Sequence, residues 1–255
     1  TIPWDAYDVD VVIDATGRFL KGDELSAHLD SGAKRVFISR NAKDTIDRYV
    51  IPGINESSIK SSDQIISTTS STTQVLALMV KMLDESFGLK RAMMTTVHAY
   101  TADQPLADAA GVDLRRSRSA VENIIPNTTK APSIVEDIMP QFSGKLDGIA
   151  FNVPVPNGSC VDLTTELTNT PSVEEANEVI KSFSKGSLEG IVGYTEDPIV
   201  SSDVIGREET MVFDQKATMM TNDELLKTLC WYDNGWGFAS RILDVVDAYA
   251  TLEDK

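Results

Sequence analysis

A run of hydroxyl side chains, Ser67-Thr68-Thr69-Ser70-Ser71-Thr72-Thr73, follows the apolar pair Ile65-Ile66 and leads into Gln74 and a long apolar-periodic segment. A strand feeding a helix here would place unpaired backbone N–H groups and hydroxyl donors at the positive end of that helix, which suits an anion. A single Ser or Thr satisfies ordinary N-capping. The unbroken run exceeds that need, and both readings stay open. His98 lies in Thr95-Thr96-Val97-His98-Ala99-Tyr100-Thr101-Ala102-Asp103, where a lone strand histidine reads either as a satisfied core residue or as a base. Thr101 and Asp103, two residues apart, should share a face and help build a polar pocket. Arg115-Arg116-Ser117-Arg118 is a compact basic cluster, read as solvated surface charge, as salt bridges, or as a clamp for phosphate or carboxylate. His28 is expected to be simply exposed. The only two cysteines, Cys160 and Cys230, are too far apart for a metal or redox motif. They read as buried thiols of a cytoplasmic protein, with a disulfide as the alternative.

Two kinds of scaffold must position these residues. Val11-Val12-Ile13, Arg35-Val36-Phe37-Ile38-Ser39, Tyr49-Val50-Ile51-Pro52 and Ile65-Ile66-Ser67-Thr68 read as short buried strands, with a helix over 23–31. That alternation predicts a parallel α/β sheet. A long helix follows, with Val75, Leu78, Met79, Met82, Leu83 and Phe87 on one face and Gly88 as its stop. Beyond it, Met93 to Tyr100, Ile149 to Val155, Val161 to Leu167 and Leu225 to Tyr232 suggest a mostly antiparallel sheet. Ser172-Val-Glu-Glu175 is a capping box opening another helix, and an amphipathic helix carries Ile242, Val245, Val246, Tyr249 and Leu252. No internal repeat or low-complexity linker is present, and the texture changes near residue 70.

The 255 residues suffice for one large domain or two modest ones. With 42% hydrophobic and 24% charged residues, the composition is that of a folded globular chain and excludes disorder. Lys+Arg 23 against Asp+Glu 39 gives −16, which argues against a nucleic-acid partner. No apolar run approaches a membrane span. The first residue is Thr1 rather than Met, so a segment is expected to have been removed or not to be part of this polypeptide.

The motifs Asp14-Ala15-Thr16-Gly17-Arg18-Phe19, Ile65 to Thr73, Met94 to His98, Leu114-Arg115-Arg116, Asn123-Ile124-Ile125-Pro126, Val161-Asp162-Leu163, Val200 to Asp203 and Trp231-Tyr232-Asp233-Asn234 run in order along nearly the whole chain. In these the sequence resembles the glyceraldehyde-3-phosphate dehydrogenase family, without the beginning of that family's pattern. The resemblance implies an α/β fold: the C-terminal part of a doubly wound NAD-binding domain over 1–70, an α+β catalytic-type domain with a mostly antiparallel sheet over 71–234, and a helix over 235–255 returning to the first. In the family a Cys attacks the aldehyde beside a His, NAD takes the hydride, and phosphate releases the acyl group. His98 matches that His. Thr101, Asp103 and Arg115 match positions that hold the substrate phosphate, and Ser70, Thr72 and Thr129 those around inorganic phosphate. Asn234 matches the residue that orients the nicotinamide carboxamide, and Thr16 and Gly17 fall at cofactor positions. No metal is implied. The partners implied are further copies of the chain, a tetramer first, with residues 104–130 as a loop that lines the cofactor site and packs between subunits, and a phosphorylated small molecule.

The departures bear on activity. The nucleophile position is Ser71, and a serine needs a base held by an orienting group. No third group for His98 stands nearby in sequence, nor does a Gly-x-Ser-x-Gly elbow. The family's Arg falls on Asn152, its Thr-Gly-Ala-Ala on Thr129-Lys130-Ala131-Pro132, and its Glu after Asn234 on Gly235. Lys130 could replace a lost charge. The Gly-x-Gly-x-x-Gly turn for the pyrophosphate is absent from this sequence, so NAD binding is expected only if a preceding segment supplies it. The expectation is a diverged, catalytically impaired homologue that keeps ligand binding or a structural role. The alternatives are a working phosphorylating dehydrogenase and a Ser71–His98 hydrolase.

Overall fold

The computed structural model describes residues 2–222 and 224–253. Its strands, in chain order, are β1 (Val11–Asp14), β2 (Arg35–Ile38), β3 (Arg48–Tyr49), β4 (Ile65–Ser67), β5 (Leu89–Ala99), β6 (Ile125–Asn127), β7 (Leu146–Val153), β8 (Ser159–Leu167), β9 (Val192–Thr195), β10 (Met211–Asp214), β11 (Met219–Thr221) and β12 (Leu225–Tyr232). The helices are α1 (Gly22–Asp30), α2 (Ser71–Phe87), α3 (Ala131–Ile138), α4 (Val173–Ser184) and α5 (Trp236–Glu253). The chain divides into two compact units, one of residues 1–70 with 239–255 and the other of residues 71–238. No helix among the described residues is long and apolar enough to cross a membrane.

In the first unit the strands lie parallel in the order β1-β2-β4-β3. Period-two alternation gives the sheet two apolar faces. Val36, Ile38 and Ile65 pack with Leu25 of α1 on one face. On the other, Phe37, Val50, Ile59 and Ile66 form a core with Val245 and Tyr249 of α5. Two expectations fail in this unit. The Tyr49–Pro52 strand stops at Tyr49, because the Asn55 amide takes over the backbone: it donates to the Tyr49 carbonyl at 2.9 Å and accepts from the Ile51 N–H at 2.8 Å. His28 is not simply exposed. Its Nδ1 accepts from the Trp4 indole N–H at 3.1 Å, which leaves the proton on Nε2 facing Asp14 Oδ2 at 3.3 Å.

The second unit holds an eight-stranded sheet in the order β6-β7-β5-β8-β12-β10-β9, with β11 paired to β12. It is mixed but mainly antiparallel, with parallel pairs only at β5–β7 and β9–β10. Along β5, Ala92, Met94 and Thr96 point inward and Arg91 and Met93 outward. α2 is buried at every position from Thr72 to Val80, so its apolar stripe is only part of a helix covered nearly all round. α4 starts at its expected cap, with the Ser172 hydroxyl accepting from the Glu175 N–H at 3.1 Å and the Glu175 carboxylate from the Ser172 N–H at 2.7 Å.

Candidate functional site

The hydroxyl run becomes a strand-to-helix passage. After β4, the Thr69 N–H donates to Ser67 Oγ at 2.9 Å, and Thr69 itself takes a φ of +68°. That left-handed conformation is a strained choice for a β-branched residue, and α2 begins two residues later. Ser70 and Ser71 are half-buried, while Thr72, Thr73 and Gln74 are buried.

Thr72 Oγ1 lies 2.8 Å from the Tyr232 hydroxyl, which lies 3.1 Å from Thr96 Oγ1. Thr96 donates to the Cys160 carbonyl at 3.1 Å. With the Thr96 proton so engaged, the chain has one direction: Thr72 donates to Tyr232, Tyr232 to Thr96, and Thr96 to the carbonyl. The Thr72 proton is thereby committed. Burial pushes the Tyr232 phenol up to about 12, so it stays neutral.

His98 meets the Tyr232 ring edge-on, with centroids 6.0 Å apart. Its Nδ1 lies 2.6 Å from the Ala99 carbonyl oxygen, so Nδ1 carries the proton and Nε2 is the basic atom. Burial lowers its pKa, against the opposing influence of the Ala99 carbonyl and of Asp103. The orienting group that the sequence did not reveal is therefore main-chain carbonyl, a partner with no side-chain signature. Asn152 sits opposite His98 in the β5–β7 register, and its amide donates to the same Ala99 carbonyl at 3.4 Å. Its Oδ1 accepts from Asn127 at 3.3 Å. Thr129 Oγ1 accepts from the Ala131 N–H at 3.1 Å just ahead of α3, beside exposed Lys130.

Thr101 and Asp103 do meet, but through a turn rather than along a strand: β5 ends at Ala99, and the Thr101 hydroxyl donates to the Asp103 carboxylate. The basic cluster divides. Arg116 pairs with Asp103 at 2.6 Å and Arg118 with Asp108 at 3.0 Å, while Arg115 is exposed and makes no ion pair among the described residues.

Asn234 is brought into this framework by a residue that sequence reasoning missed. Ser159, 1% exposed, accepts from the Ala99 N–H at 3.0 Å and donates to Asn234 Oδ1 at 3.2 Å. The Asn234 carboxamide is thus oriented with its NH₂ left to donate elsewhere. Asp233 was missed too, although an Asp just before a helical run is a cap signal. Its carboxylate accepts from the Gly235 and Trp236 N–H groups, both at 2.7 Å, from Gly206 N–H at 2.8 Å and from Asn157 Nδ2 at 3.0 Å. These hydrogen bonds outweigh burial and hold its pKa below the usual carboxylate value.

Both cysteines are free and buried. Burial raises the Cys160 thiol to about 11 and holds the Cys230 thiol well above its usual value. Neither supplies a thiolate near neutral pH. In the first unit, Thr16 and Gly17 follow the carboxyl end of β1, the edge where open parallel sheets receive ligands. Asp14 holds the turn by accepting from the Thr16 N–H at 2.9 Å and hydroxyl at 2.7 Å, and Gly17 has a φ of +67°. Gly17 can hold that left-handed conformation because it carries no side chain of its own.

Residues 70–234 match the family model described as glyceraldehyde 3-phosphate dehydrogenase, C-terminal domain. The chain is 44% identical over 245 residues to glyceraldehyde-3-phosphate dehydrogenase 2 of Streptomyces avermitilis, covering 96% of this chain and 73% of that one. It is 44% identical to the glyceraldehyde-3-phosphate dehydrogenase of Mycobacterium tuberculosis, covering 96% and 72% of the two chains. Against that of Streptomyces coelicolor the identity is 46% over 246 residues, covering 96% and 73%.

Proposed function

The chain belongs to the glyceraldehyde-3-phosphate dehydrogenase family, and from that premise we propose that it is a diverged member whose phosphorylating dehydrogenase step is impaired. The observation that carries this reading is the lack of any thiolate. The nucleophile position is Ser71, and both cysteines are buried with raised pKa values. Asn152 supports it, because a neutral amide engaged with Asn127 and the Ala99 carbonyl stands where the family resemblance places a guanidinium. The remaining assignments follow the same reading. Ser71 and His98 hold the catalytic positions; Ser70, Thr101, Asp103, Arg115 and Thr129 take the phosphorylated ligand, while Thr72 and Asn152 stand at the family's ligand positions with their side chains engaged within the protein. Thr16 and Gly17, and separately Asn234, contact NAD, which supplies the hydride acceptor when bound. In this assignment His98 Nε2 holds or releases a proton, and Asn234, set by Ser159, orients the carboxamide. We extend the reading to a cytoplasmic homotetramer.

Steady-state NADH production from glyceraldehyde 3-phosphate, NAD and phosphate tests the proposal. No turnover is expected. A rate of about one per second, low but ordinary for an enzyme, would overturn it. The second reading, a working dehydrogenase, is favoured by one observation: the anchoring of His98 and Asn234 on either side of Ala99 is intact.

A further inference from the structure

All four strands of the first unit run parallel, so their carboxyl ends, at Asp14, Ile38, Tyr49 and Ser67, form one edge. Arg40 stands two residues beyond β2 on that edge. Its carbonyl accepts from the Ser67 hydroxyl at 2.8 Å, which ties its backbone to the end of β4. Its side chain, exposed to solvent, lies against Gly17: a Cβ built on that glycine would come 3.2 Å from the Arg40 Nε and 3.3 Å from Cζ. The guanidinium therefore reaches from the end of β2 to the left-handed turn after β1.

In a chain of charge −16, carboxylates are plentiful partners for cations. Arg48, Arg116, Arg118 and Arg207 are all ion-paired. Arg40 has no ion pair or hydrogen bond from its guanidinium among the described residues, although it sits at the edge where parallel sheets take ligands. Beside it, the Asn41 side chain keeps a buried Oδ1 with no hydrogen-bond partner. An exposed forked cation laid against a left-handed glycine turn on a ligand edge suits a phosphate.

We propose that Arg40 is a phosphate-binding residue of the first unit, receiving a phosphate group laid against Gly17. This rests on the reading that the unit binds a dinucleotide, and it goes beyond it by naming the charged contact. The phosphate belongs either to the dinucleotide, through its pyrophosphate or a 2′-phosphate, or to a free phosphate.

The test is titration calorimetry of the full natural chain with NADH, NADPH and inorganic phosphate, each against wild type, Arg40→Gln and Arg40→Lys. An exposed arginine should be replaceable without unfolding, which circular dichroism checks. At least one probe should bind the wild type, with affinity roughly ten- to hundredfold weaker in Arg40→Gln, the range for one or two lost charge-assisted hydrogen bonds, and partly recovered in Arg40→Lys. NADPH favoured over NADH in wild type alone assigns the 2′-phosphate, and equal Arg40 dependence assigns the pyrophosphate. Phosphate binding that depends on Arg40 without any dinucleotide binding upholds the residue and removes the cofactor reading. Dinucleotide binding that is unchanged in Arg40→Gln overturns the proposal and leaves the cofactor reading standing. No binding of any probe overturns both.

Discussion

Replacing Asp233 with asparagine tests whether one carboxylate organises the turn that carries Asn234. The carboxylate is 2% exposed and accepts four hydrogen bonds at 2.7 to 3.0 Å, two on each oxygen. Oδ1 caps α5, and Oδ2 ties in Asn157 and the loop at Gly206. In Asp233→Asn one oxygen remains, and the new NH₂ confronts two donors. Two charge-assisted bonds at about 1.5–3 kcal/mol each are lost, offset by relief of the several kcal/mol that burying a carboxylate costs. The net expectation is destabilisation by about 2–4 kcal/mol, a large share of an ordinary domain's stability. Urea unfolding at pH 7, followed by circular dichroism, measures it. The lowered pKa sets the pH dependence. The carboxylate's contribution is complete above its unfolded value of 3.8 and is lost as pH falls through the lower folded value, so the two proteins should converge in stability only below that range. A loss under about 0.5 kcal/mol at pH 7, or a gap that persists unchanged in acid, would refute the reasoning.

Wild type should resist iodoacetamide in the folded state, because both thiols are buried with raised pKa values. Ser71→Cys should become alkylated at position 71, read by peptide mass, and failure would separate Ser71 from His98. Asn152→Arg should tighten phosphate binding by at least roughly tenfold in calorimetry, and no change would mean that the Asn127–Asn152–Ala99 contacts exclude the new side chain. The lowered pKa of His98 means that the folded state resists its protonation, so its contribution is complete above the unfolded value of 6.5 and falls as pH drops toward the folded value. His98→Gln should flatten that part of the stability profile, and an unchanged acid slope would show that other groups cause it.

The parts of the fold carried by local pattern were readable in the sequence. The Ser172–Glu175 cap, the strand to Tyr232 and the parallel first sheet needed only periodicity and end signals. α3 was missed because Pro132 looks like a breaker, whereas in a first helical turn its missing N–H has no partner to lose. β9 and β10 are short and find each other only in three dimensions. At the candidate site the reactive residue types were visible, but their orienting partners were not. His98 is held by a carbonyl, Asn234 by Ser159, and Tyr232 by two threonines, and none of these pairings leaves a spacing to read.

The first unit's core closes over a gap in the chain: Phe37, Val50 and Ile66 pack against Val245 and Tyr249, with all of residues 71–238 between them. During synthesis the parallel sheet therefore emerges with one apolar face bare. It stays so until the second unit has been made, on the order of ten seconds or more at ordinary elongation rates. The second unit, continuous in sequence, can fold within that interval, while Phe37 and Ile66 of the first lack their α5 partners. The first unit, begun before the second, is thus finished after it, and variants that weaken α5 should show their effect in yield before they show it in the purified fold.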